Sequence, residues 1–129
     1  MRPADQPLIT GERIAVRVRE MAGAIDSGTE PGATLSVLAL LDGAFMFCSD
    51  LIRQMETPVH LGMVPVPSVA RGGDPTQVRL PEDFPVRSAD LLVVEDILDT
   101  GRTLNLLLAR LRAMEPRSLR LAVLLDKPS

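Results

Sequence analysis

Hydrophobic positions along the chain change period several times, and each change marks an element. Ile14, Val18, Met21 and Ile25 recur every three or four residues, one stripe of a helix that Thr10 could cap. Asp26, Gly28, Pro31 and Gly32 stop it. Residues 35–41 are almost wholly apolar, as in a strand buried on both faces. Asp42 and Gly43 interrupt that run, and over 44–55 a helical stripe of Phe47, Leu51 and Met55 follows, widened by Phe45, Cys48 and Ile52. A second strand is expected over 58–66, with Pro65 and Pro67 suited to a strand end rather than its interior. Residues 68–86 hold three prolines, two glycines and five charges and read as a long loop, a length that is usually functional or mobile in a compact domain. A third strand enters at 88–94. A helix is expected over 103–114 with Leu104, Leu107, Leu108, Leu111 and Met114 on one face, then a fourth strand over 119–125 after Pro116. Strands alternating with helices imply an α/β fold, a mostly parallel sheet with helices on both faces. Right-handed crossovers then bring the loops after Leu41 and Val94 to the same edge of the sheet.

Composition narrows the function classes. The 129 residues suit one domain with a real core, 46% of them are apolar, and the net charge is −3. An acidic balance without a basic stripe argues against nucleic acid, and only three aromatic residues, all Phe, argue against a base-stacking platform. A lone cysteine, Cys48, inside an apolar helical pattern is expected to be a packed core thiol in a reducing compartment. No apolar run reaches the ~20 residues of a membrane span, and no signal-peptide core opens the chain, so a cytoplasmic location is expected.

The chemistry concentrates after the third strand. Glu95 and Asp96 are adjacent carboxylates at its carboxyl end, able to accept hydrogen bonds from vicinal hydroxyls or to hold a divalent ion through oxygen. Asp99, Thr100, Gly101, Arg102 and Thr103 then form a hydroxyl- and glycine-bearing turn into a helix, suited to wrapping a phosphate. Ligands of open α/β sheets sit at strand carboxyl ends, which favours a polyol-phosphate site over a merely solvated acidic turn.

The stretch from Val93 to Leu104 resembles the phosphoribosyl-diphosphate-binding motif of type I phosphoribosyltransferases, closest to the hypoxanthine-guanine branch. Residues 37–47 with Asp50 and Leu51 resemble that family's diphosphate-loop strand and helix, and residues 121–128 resemble the strand after the motif helix; the likeness runs over 8–129. It implies a type I phosphoribosyltransferase-like core and transfer of the 5-phosphoribosyl group from phosphoribosyl diphosphate to hypoxanthine or guanine in purine salvage. It further implies Mg²⁺ near Glu95 and Asp96, ribose hydroxyls on the same two carboxylates, Asp99 as general base, and a 5-phosphate cradle from Asp99, Thr100, Gly101, Arg102 and Thr103. Leu41, Asp42 and Gly43 would form the diphosphate loop, and a mobile loop opening at Ser68 and Val69 would close over the site. The partners implied are phosphoribosyl diphosphate and a purine base or nucleoside monophosphate, within a homodimer or higher homo-oligomer.

Two departures bear on activity. Asp42 stands where the family usually has Lys, and Ser68-Val69 where it usually has Ser-Tyr. The family's base-covering hood, with its Lys, stacking aromatic and second metal-binding acid, has no counterpart within these 129 residues. Weak or no turnover is therefore expected of a transferase with this sequence, and a non-catalytic nucleotide-sensing or regulatory module that keeps the phosphoribosyl site is the alternative reading.

Overall fold

A computed structural model describes residues 11–66, 72–74, 77–98 and 102–126, apart from the side chains of Leu98, Arg102, Thr103 and Asp126. Among these residues, three helices, α1 (Gly11–Ser27), α2 (Ala44–Arg53) and α3 (Arg102–Ala113), alternate with four strands, β1 (Leu35–Leu41), β2 (Val59–Pro65), β3 (Asp90–Leu98) and β4 (Ser118–Asp126). All pairings are parallel and the spatial order is β2-β1-β3-β4. The α/β class, the parallel sheet and its helices on both faces are therefore as expected.

Alternation along the central strands divides the core in two. Leu35, Val37 and Ala39 of β1, with Leu92 and Val94 of β3, face α1 and α2 and bury Val18, Ala22, Ile25, Phe47, Cys48 and Leu51. Leu38 and Leu40, with Leu91 and Val93, face the other way against Leu104, Leu107, Leu108 and Leu111 of α3. Cys48 is buried, and desolvation pushes its thiol up to about 11, so it is an inert packing group.

The pattern misplaces two details. Phe45 is exposed rather than part of the α2 stripe, because it lies about 200° around the helix from buried Phe47. The helix also stops at Arg53: the N–H groups of Gln54 and Met55 turn back to the Leu51 and Ile52 carbonyls, and Met55 packs on the core from beyond the helix end.

The 68–86 stretch differs more. Its opening, including Ser68 and Val69, lies outside the described residues, as do Thr10, Asp99, Thr100 and Gly101. Its second half is anchored: Val78 and Val86 are buried with the α3-side core, and Arg110 donates to the Val78 carbonyl. Phe84 lies across β2, edge-on to His60 with ring centroids 5.7 Å apart. A Cβ on Gly62 would come within 2.8 Å of the Phe84 ring and 3.2 Å of Pro81, which accounts for glycine inside this strand. Gly62→Ala is therefore expected to lower stability by about 1–3 kcal/mol through overpacking, read from denaturant unfolding. An unchanged midpoint would mean that Phe84 does not hold this position.

Candidate functional site

β1 and β3 are neighbours, but the connection from β1 runs to one side of the sheet and that from β3 to the other. This reversal of strand order opens a crevice at their carboxyl ends, the usual ligand position in open α/β sheets. The parallel register pairs Ala39 with Val94. Two residues further, β1 reaches Leu41 and β3 reaches Asp96. The Asp42-Gly43 turn and the Glu95-Asp96 pair, 53 residues apart in sequence, thus share one edge. The peptide bond between Leu41 and Asp42 is cis.

The acidic pair is not on a turn after Val94. β3 continues through it to Leu98 because β4 runs alongside, pairing Glu95 with Val123, Ile97 with Leu125 and Leu98 with Asp126. Glu95 and Asp96 are therefore carried on strand backbone, with their carboxylates close enough to interact. Local hydrogen bonds set their carboxylates further: the Asp96 N–H donates to Glu95 Oε1 at 3.0 Å, and the Ile97 N–H to Asp96 Oδ1 at 2.8 Å. Burial, then the hydrogen bond and charge of the Asp96 carboxylate, push Glu95 up to about 7 against the opposing pull of the Asp96 N–H.

That shift has a stability consequence. Glu95 holds its proton more tightly folded than unfolded, so its contribution is complete below the unfolded value of ~4.3 and disappears as pH rises through about 7. The ligand-free protein should lose melting temperature across this window, and Glu95→Gln should flatten that part of the profile. A wild-type profile that rises from pH 5 to 7 while the Gln variant stays flat would contradict the assignment.

Gly43 opens α2 with φ −60° and ψ −36°, ordinary right-handed values, and the helix has no side-chain cap. A Cβ there would lie 2.5 and 2.6 Å from the two Asp96 carboxylate oxygens. The turn and the carboxylate are thus in direct contact. α3 starts at Arg102, just past the undescribed 99–101, so its N-terminus follows the carboxyl end of β3. The structure brings together Leu41, Asp42, Gly43, Glu95 and Asp96; the Arg102 and Thr103 backbones begin the adjacent helix. Among the described residues, no group of three or more His, Cys, Asp or Glu side chains could hold a metal unaided. Nothing in the sequence signals the contact between Gly43 and Asp96; an ordinary turn glycine gives no sign of a partner 53 residues away.

The phosphoribosyl transferase domain pattern matches residues 8–129, and the chain belongs to this family. It is 33% identical to the hypoxanthine phosphoribosyltransferase of Salmonella typhimurium, an alignment spanning all of this chain and 75% of that protein. It is 35% identical to the hypoxanthine-guanine phosphoribosyltransferase of Mycobacterium avium over 94% of this chain and 64% of that one. Its fold superposes on a Bacillus anthracis hypoxanthine-guanine phosphoribosyltransferase with a TM-score of 0.82 and 32% identity, covering 96% of this chain and 75% of the other. No helix among the described residues is long and apolar enough to cross a membrane.

Proposed function

We propose that this protein transfers the 5-phosphoribosyl group of phosphoribosyl diphosphate to hypoxanthine or guanine, in purine salvage in the cytoplasm. The observation that carries this reading is the meeting of the Asp42-Gly43 turn with the Glu95-Asp96 pair at the point where strand order reverses. On phosphoribosyl diphosphate the leaving diphosphate and the ribose hydroxyls are on adjacent carbons, so a diphosphate-binding turn must abut a hydroxyl-binding carboxylate.

Glu95 and Asp96 accept hydrogen bonds from the ribose hydroxyls. Thr100, Gly101, Arg102 and Thr103, with the N-terminal N–H groups of α3, take the 5-phosphate. Leu41, Asp42 and Gly43 border the diphosphate, and the loop from Ser68 and Val69 covers the site. A purine ring nitrogen attacks the anomeric carbon, the bond to diphosphate breaks, and Asp99 accepts the proton from the purine. The transition state resembles a ribosyl cation, so the protein acts chiefly by orientation and electrostatics.

Mg²⁺ fits the donor set present. A pair of carboxylates is too few for a protein cage but is what this ion uses when ligand phosphates complete its shell. Held there, it would supply positive charge to offset that of the departing diphosphate. Asp42 makes this requirement stringent, since an exposed carboxylate beside a diphosphate is repulsive without an intervening cation. Phe45 and Met46 are 46% and 68% exposed on α2, an apolar surface suited to a second copy in a homodimer.

Chromatography of reactions containing Mg²⁺ and phosphoribosyl diphosphate tests the reading. Inosine or guanosine monophosphate should form with one diphosphate released per nucleotide. Binding of the donor without nucleotide from either base would instead identify a non-catalytic sensing module.

A further inference from the structure

Gly43 is not glycine for backbone reasons. Its φ of −60° suits any L-residue, and alanine at a helix start would be tolerated. What excludes a side chain is Asp96: a Cβ would stand 2.5 Å and 2.6 Å from the carboxylate oxygens and 2.7 Å from Cγ. The three nearest atoms all belong to this one carboxylate, which occupies the space a side chain would take.

We propose that Gly43 is a positioning residue for Asp96: the missing side chain forms a berth that holds this carboxylate against the β1–α2 turn, where the ribose hydroxyls lie next to the diphosphate. The inference rests on the phosphoribosyl reading above and adds to it. On that reading alone, glycine in this turn would serve the diphosphate by letting backbone approach it. The geometry assigns it a second task, directed at the ribose. Asp96 is held from two sides, by the Ile97 N–H on its Oδ1 and by the flat face of Gly43. Removing the second support leaves the first, so the side chain turns about its own torsions instead of disturbing the sheet. The consequence for folding is small and the consequence for a ligand that needs the carboxylate in place is large.

The two tasks separate by choice of ligand. Inosine monophosphate has the ribose hydroxyls and the 5-phosphate but no diphosphate. In calorimetry, Gly43→Ala should weaken its binding about tenfold, the order of one lost hydrogen bond to a charged group. The melting temperature should stay within ~2 °C of wild type. In an Asp96→Ala background the same substitution should have no further effect on inosine monophosphate. Unchanged affinity for the monophosphate with weakened affinity for phosphoribosyl diphosphate would overturn the proposal, as would an equal loss in both backgrounds. Failure of the unsubstituted chain to bind either ligand would refute the phosphoribosyl reading itself. The berth is then judged without ligand from a crystal structure of Gly43→Ala, in which Asp96 should be rotated off the turn; a carboxylate still in its original place would overturn the proposal.

Discussion

Glu95→Gln combined with Asp96→Asn should abolish measurable Mg²⁺-dependent binding of phosphoribosyl diphosphate. Each amide keeps the size of the side chain and removes its charge, and with it one charge-assisted acceptor for a ribose hydroxyl. Hydrogen bonds to charged groups contribute ~1.5–3 kcal/mol each, so losing two weakens binding by roughly 10²–10⁴-fold before the weaker hold on the cation is added. The fold should survive. The Asp96 and Ile97 N–H groups still find amide oxygens as acceptors, and the cost of ionising half-buried Glu95 is removed. Calorimetry beside a thermal melt separates the two effects: binding lost with melting temperature kept is the expected pair. Tight binding by the double variant would show that the strand-end carboxylates are not the ribose ligands.

The largest effect on stability is expected from Leu38→Ala. Leu38 is on β1, which has strands on both sides, and its side chain is wholly buried among Leu40, Val64, Leu91 and the α3 leucines. Truncation loses the transfer energy of the removed carbons and leaves a cavity that a sheet strand cannot close by moving, a loss of about 3–5 kcal/mol. Against a total of ~5–15 kcal/mol this is a large fraction, and the melting temperature should fall by roughly 10–20 °C. A fall of a degree or two would mean that the α3-side core repacks freely around β1.

The two predictions draw on features of unequal visibility in the sequence. Leu38 and its neighbours are legible because strands buried on both faces read as unbroken apolar runs, and the helices show their own period: Ile14, Val18, Met21 and Ile25 line α1 as their spacing indicates. The acidic pair is legible as chemistry but less so as structure. Charge after four apolar residues suggests that the strand ends at Val94; it continues because β4 supplies a parallel partner out to Asp126, a contact between segments about 28 residues apart that no local pattern encodes. Phe84 shows the same limit. Among prolines and charges it looks like part of an open loop, yet it packs on Gly62 of the edge strand β2. The cue was on the partner, a glycine in mid-strand. The berth at Gly43 had no cue, since a glycine between strand and helix is explained by the turn alone. Local periodicity reports which face of an element is buried; it does not report which distant side chain covers it.

The central claim is that Glu95, Asp96 and the Asp42-Gly43 turn form one site for an activated ribose phosphate. Isothermal titration of the unsubstituted chain with phosphoribosyl diphosphate, with Mg²⁺ and with chelator, tests it most directly. Saturable binding at one site per chain that disappears when Mg²⁺ is chelated is the predicted result; no binding of phosphoribosyl diphosphate in the presence of Mg²⁺ would contradict it.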